Sequence, residues 1–128
     1  MMLADMGARV IKIEQPGKGD DTRDWGPPFH DGTATMFLTA NANKRSVAVE
    51  LRRGSEIVLR LAETADVFVV SLRPGLAEAR GLAAADVRAR NDRLVYASIS
   101  GFGAEGPLAS RPGYDPLVLG RILAGEAP

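Results

Sequence analysis

The 128-residue sequence contains no cysteine and a single histidine. The first absence excludes a disulfide framework, a zinc–thiolate site and a cysteine nucleophile. The second excludes a metal centre built from several histidines. Neither sign of charge is in surplus, with sixteen Lys and Arg against sixteen Asp and Glu. A general nucleic-acid binder needs a basic excess to displace counterions, so that class is set aside. No apolar run approaches the ~18 residues of a membrane span, and no basic-then-apolar leader opens the chain. A cytoplasmic protein without a membrane partner is the expectation. What is present is ordinary globular composition, 45% hydrophobic and 25% charged, at a length that suits one domain.

The patterning alternates between helix and strand. Residues 1–6 (MMLADM) read as a helical turn or two with no N-cap, closed by Gly7. A helix that starts at the first residue points to a piece of a longer fold. Residues 9–14 (RVIKIE) alternate apolar and polar and predict a strand. Residues 15–32, rich in Pro, Gly and Asp, predict a long ordered loop, with Trp25 and Phe29 as its packing anchor. Residues 33–40 predict a short helix and residues 46–51 (SVAVEL) a second strand. Residues 54–65 carry Ile57, Val58, Leu61 and Ala65 at helical spacing, with Ser55 as N-cap. Residues 67–72 (VFVVSL) are almost continuously apolar and predict a strand covered on both faces. Residues 74–91 predict one or two short helices, with Leu82 and Val87 in the core. Residues 94–100 (LVYASIS) predict a fourth strand, residues 101–113 a Gly- and Pro-rich loop, and residues 117–123 a last helix. This is the grammar of an α/β fold, an open, doubly wound, mostly parallel sheet, Rossmann-like in kind. Ligands of such sheets lie beyond the carboxyl ends of the strands.

Four segments fall at those ends. In RVIKIEQPGKG, Glu14 closes a strand; it is either a ribose ligand or a solvent glutamate. In NANKRSVAVELRR, four basic residues stand against one acid, with Lys44 and Arg45 before the predicted strand and Arg52 and Arg53 after it. Arginine forks suit phosphate oxygens, although a solvated basic turn has the same composition. SLRPG places Arg73 before a Pro-Gly turn at a strand end. SISGFGAEGPLASRPGYD has glycines that permit close backbone approach but lacks the GK[ST] of a phosphate loop. Tyr114 and Asp115 follow it, as proton donors or acceptors beside a ligand or as caps of the last helix. His30, alone in its loop, has no evident carboxylate partner.

Taken together, LADMG, VIKIEQPGKGDDTRDWGPP, NANKRSVAVEL, ADVFVVSLRPG, LVYASISGFGAEGP and RPGYD resemble the N-terminal region of the class III CoA-transferases. That family holds the formyl-CoA and carnitine CoA-transferases and α-methylacyl-CoA racemase. The resemblance covers residues 1 to about 119 of the chain. It implies coenzyme A or an acyl-CoA as substrate, a carboxylic acid as the second substrate, no metal, and a homodimer in the full-length proteins. It assigns CoA contacts to Gln15, to Val49, Glu50, Leu51 and Arg52, and to Ser71, Leu72 and Arg73. The basic segment adds Arg45 as an anchor for the phosphates. Ala79 stands where the family has an arginine, which leaves Arg80 as the substitute. Tyr114 matches a site-facing position that is tyrosine in transferases and histidine in racemases, and so favours a transferase over a racemase-type relative. The resemblance places the family's first strand before Met1, and its nucleophilic aspartate and small domain after Pro128. On that basis residues 1–128 are a partial CoA-binding large domain, inactive by itself. A CoA- or nucleotide-binding module without catalysis is the alternative.

Overall fold

The computed structural model describes residues 2–111 and residue 113. The chain divides into two compact units after Gly54. The first unit opens with helix α1 (Met2–Asp5), then strand β1 (Val10–Glu14), a 3-10 turn at Asp21–Asp24, and the short strands β2 (Phe29–His30) and β3 (Thr33–Ala34). Helix α2 (Thr35–Asn41) and strand β4 (Lys44–Ala48) follow. Helix α3 (Leu51–Ala62) contains the boundary between the units. The second unit continues with β5 (Val67–Val70), a 3-10 turn at Glu78–Arg80, α4 (Ala84–Arg90) and β6 (Val95–Ser98).

The α/β alternation with parallel strands is present. β1 and β4 run parallel, with Val10 opposite Lys44 and Glu14 opposite Ala48. β5 and β6 run parallel, with Val67 opposite Val95 and Val70 opposite Ser98. Among the described residues these remain separate two-stranded sheets. The third pair, β2 and β3, is an antiparallel hairpin whose first strand lies in the expected loop and whose second takes the first two residues of the helix expected over residues 33–40. Its two connecting residues, Asp31 and Gly32, both have positive φ, 47° and 74°, the geometry of the Asp-Gly hairpin turn.

Three further expectations are corrected. The second strand ends at Ala48 rather than residue 51, and it takes in Lys44 and Arg45 at its start. Helix α3 begins at Leu51 rather than residue 54. Its cap is therefore Glu50, whose carboxylate accepts from the Arg52 amide at 3.1 Å, and Ser55 lies inside the helix. Strand β5 is covered on one face only among the described residues. Val70 is buried and Phe68 half-buried, while Val67 and Val69 are 49% and 59% exposed. Continuous apolarity recorded the strand correctly but not the one-sided cover.

The second unit's core gathers Ala62, Val87 and Leu94, with Leu59, Ala65, Phe68 and Tyr96 against them. The rings of Phe68 and Tyr96 stack at 5.6 Å between centroids, and the Tyr96 hydroxyl donates to the Leu82 carbonyl at 2.9 Å. The last carbonyls of a helix lack intrahelical donors. Here the Asn91 side-chain amide donates toward the carbonyl of Ala62, the last residue of α3, and toward those of Glu63 and Ala65 just past it, at 3.1, 3.3 and 2.9 Å. Farther along, Gly101 and Gly113 meet backbone to backbone. A Cβ on Gly101 would stand 2.2 Å from the Gly113 Cα, and one on Gly113 the same distance from the Gly101 Cα. The loop expected over residues 101–113 is closed by that contact.

Candidate functional site

The carboxyl ends of β1 and β4 point the same way because the strands are parallel. A cleft of about 320 Å³ opens there, lined by Ile13, Glu14, Gln15, Val49, Glu50, Leu51 and Arg52. Gln15 and the run Val49, Glu50, Leu51, Arg52, which the sequence marks as CoA contacts, thus share one wall. Val49 is buried and its amide donates to the Glu14 carbonyl at 2.9 Å, which carries the parallel ladder one step past β4. The chain then turns into α3, so the first helical turn borders the cleft. Helix N-termini carry partial positive charge and free amides that attract anions. Glu50 takes up the Arg52 amide, and the Arg52 side chain itself is exposed.

Arg45 is not in this wall. It lies within β4 opposite Ile11, exposed to solvent. Arg45 is the second residue of β4 and so stands at the amino end of the strand, opposite to the end at which the cleft opens.

Glu14 is not a solvent glutamate. It is 7% exposed, and both of its oxygens accept from the Arg23 guanidinium at 3.0–3.2 Å. Lys12 lies 3.8 Å from the same carboxylate and is ion-paired with Asp20. Arg23 and Lys12 both sit over the Phe37 ring, 4.0 and 4.7 Å from its centroid, a cation–π arrangement. Burial pushes the Glu14 carboxyl up. Hydrogen bonds from Arg23 and Ser46 and the charges of Lys12 and Arg23 outweigh it, and hold the group below its ordinary value. Asp20 behaves alike. Burial raises it, but hydrogen bonds from Lys12 and Thr22 bring it down to about 2.

Gly19 makes this pairing possible. Its φ is +72°, and a Cβ there would meet Arg23 Nε and Glu14 Oε2, each at 2.9 Å. The Gly19 amide donates to the Gln15 carbonyl at 2.9 Å, so the turn is fastened to the end of β1. Lys12, Gly19, Arg23 and Phe37 went unmarked in the sequence. The only signal for them is a glycine five residues after a strand end with an arginine four residues further on.

Trp25 and Phe29, the expected anchor of the loop, are 48% and 52% exposed, and the ring buried against Arg23 is Phe37 of α2. Phe29 instead lies across Gly26, where a Cβ would meet its ring at 2.3 Å. His30 does have an acidic neighbour, Asp31 at 3.6 Å, but both are open to solvent.

The remaining marked residues belong to the second unit. Ser71, Leu72 and Arg73 follow the carboxyl end of β5, with Ser71 and Arg73 exposed and Leu72 half-buried. The Arg73 carbonyl accepts from the Leu76 amide at 3.0 Å, closing the Pro-Gly turn. Arg80 is half-buried in the 3-10 turn Glu78–Arg80. Tyr114 and Asp115 lie outside the described residues. Among the described residues no group of three or more His, Asp or Glu is placed to hold a metal ion, and no helix is long and apolar enough to cross a membrane.

Helices alternating with parallel strands define an α/β protein, with a candidate site in the cleft at the carboxyl ends of β1 and β4. Residues 1–122 match the profile of CoA-transferase family III, and the chain belongs to that family. It is 47% identical over 119 residues to the succinyl-CoA:glutarate CoA-transferase of Mus musculus, covering 91% of this chain and 27% of that protein. It is 48% identical over 128 residues to the succinate–glutarate CoA-transferase of Agrobacterium fabrum, covering 93% of this chain and 32% of that one. Among solved structures, a CaiB/BaiF family protein from Brucella suis superposes with a TM-score of 0.83 at 44% identity. That match takes in 92% of this chain and 32% of the other. The chain therefore spans about a third or less of the length of these relatives.

Proposed function

We propose that residues 1–128 form the CoA-binding part of an enzyme that moves CoA from an acyl-CoA to a free carboxylic acid. The observation that carries this reading is the cleft, in which Gln15 and the run Val49 to Arg52, separate in sequence, meet at the carboxyl ends of two parallel strands. Its volume falls in the roughly 300–1,000 Å³ range of small-molecule sites. Arg52 offers a planar fork suited to a phosphate. In this reading Ser71, Leu72, Arg73 and Arg80 are the second unit's CoA contacts. An open, doubly wound, Rossmann-like fold belongs to the same reading. The relatives' names make succinyl-CoA and glutarate the first substrates to try, and Tyr114 favours transfer over racemisation. A cytoplasmic homodimer belongs to the same proposal.

The chemistry of the family is nucleophilic catalysis by a carboxylate. Its oxygen attacks the thioester carbonyl and CoA thiolate leaves, giving a mixed anhydride. The thiolate then attacks the enzyme's own acyl carbon, releasing the first acid as a carboxylate and leaving an enzyme thioester. The acceptor carboxylate attacks that thioester, and CoA thiolate leaves again. The thiolate attacks the acceptor's carbonyl in the new anhydride, which releases the acyl-CoA product and restores the enzyme carboxylate. The family resemblance places this nucleophile after Pro128, and Asp115 matches a different position of the motif. The 128-residue chain is accordingly expected to bind CoA without transferring it.

Titration calorimetry with CoA tests the site. Arg52→Glu is expected to weaken binding at least about tenfold by setting like charge against phosphate, and Arg45→Glu to weaken it much less. No CoA binding by the parent chain, or equal affinity in the Arg52 variant, overturns the assignment. Incubation with succinyl-CoA and glutarate, followed by mass spectrometry, is expected to show neither product nor a protein-bound adduct. An adduct on Asp115 would make the chain a minimal enzyme.

A further inference from the structure

Glu14 is the one charged side chain buried among the described residues, and it stands in the wall of the cleft. Glu50 and Arg52 put one charge of each sign in the same wall, so an unpaired Glu14 would tip it acidic and repel an anionic ligand. Arg23 does not line the cleft, yet it donates to both Glu14 oxygens at 3.0–3.2 Å. It does so across Gly19, where there is no side chain to stand in the way. Lys12, 3.8 Å from the same carboxylate, is itself matched by Asp20. The Phe37 ring lies against both cations. Lys12, Glu14, Asp20 and Arg23 thus cancel in charge.

We propose that Arg23 is a positioning residue for the cleft: by holding and neutralising Glu14, it converts an acidic wall into one that admits a phosphate-bearing ligand. The proposal rests on the reading of the cleft as a CoA site. Arg23 acts through Glu14 and makes no contact with the ligand.

The experiment compares the parent chain with Arg23→Lys, Arg23→Gln and the double variant Arg23→Gln/Glu14→Gln. Each is titrated with CoA and, separately, with inorganic pyrophosphate as a bare anion. Arg23→Gln is expected to weaken both about tenfold, because it leaves one uncompensated negative charge beside the ligand. Arg23→Lys keeps the charge and is expected to lose less. The double variant removes the carboxylate's charge as well and is expected to recover most of the affinity. A purely structural role for Arg23 predicts no recovery, because the double variant still lacks the arginine. Equal affinity in Arg23→Gln and the parent, or a double variant as weak as the single one, overturns the proposal. Should Arg23→Gln fail to fold, the double variant decides alone: affinity within about threefold of the parent supports the proposal, and a tenfold loss overturns it. Pyrophosphate binding that follows this pattern without any CoA binding would sustain the role of Arg23 while removing the CoA reading. Binding of neither probe by the parent removes both.

Discussion

At Gly19 one backbone atom decides whether two charged side chains meet. Adding a methyl group there places a Cβ 2.9 Å from both Arg23 Nε and Glu14 Oε2, on a residue whose φ is +72°. Gly19→Ala is therefore expected to cost about 1–3 kcal/mol, from left-handed strain together with a loosened ion pair. Urea denaturation of variant and parent measures it. The same cluster sets an acid limit. Glu14 and Asp20 are both held below their ordinary values of 4.5 and 3.8, Asp20 at about 2. Between the folded and ordinary values the unfolded chain binds more protons than the folded one. The stabilisation is accordingly complete above about pH 5 and is lost as the pH falls toward 2. Urea midpoints measured from about pH 5 down to about pH 3 are expected to fall, and to fall less steeply in Asp20→Asn. A parallel fall in both proteins would take this cluster out of the acid response.

Elements here are fastened by side chains that no periodicity reveals. Asn91 lies just after α4, yet it serves carbonyls at and just past the end of α3. Asn91→Ala leaves those carbonyls without this donor and is expected to destabilise the chain by about 1–3 kcal/mol. Asn91→Asp removes the amide donor at nearly constant shape and is expected to do no better, a comparison that a thermal melt of both variants provides. β1, α3, β5, α4 and β6 were legible because each repeats apolar residues at the spacing its geometry demands. It misplaced the start of α3 because Glu50, a poor N-cap by propensity, caps through its long side chain. It missed the β2–β3 hairpin because two-residue strands bury too little to leave a pattern, although Asp31-Gly32 spells the turn. The cleft was legible through family resemblance for Gln15 and residues 49–52. The Glu14–Arg23 pair was not, since it joins residues nine apart through a loop whose path depends on Gly19.

On the scale of the whole molecule, the described residues leave much apolar surface open. Val67, Val69 and Val95 are 49–59% exposed, and Val67 and Val95 are direct neighbours across the β5–β6 pair. A sheet face of this kind invites association with other chains. Light scattering of the 128-residue chain is expected to show association that grows with concentration. Val69→Lys, a charge placed in the middle of the open face, is expected to suppress it. A parent chain that stays monomeric at every concentration would show that this face is already covered.

The contact between Gly101 and Gly113 bears on which sequences can descend from this one. All four glycine codons begin with GG. Any single-base change that alters the residue puts a Cβ where the other chain segment already stands 2.2 Å away. Neither position has a conservative first step, and a change at one is not relieved by a change at the other, which can only add atoms. The two glycines are therefore expected to persist together or to be lost together with the path of the loop between them.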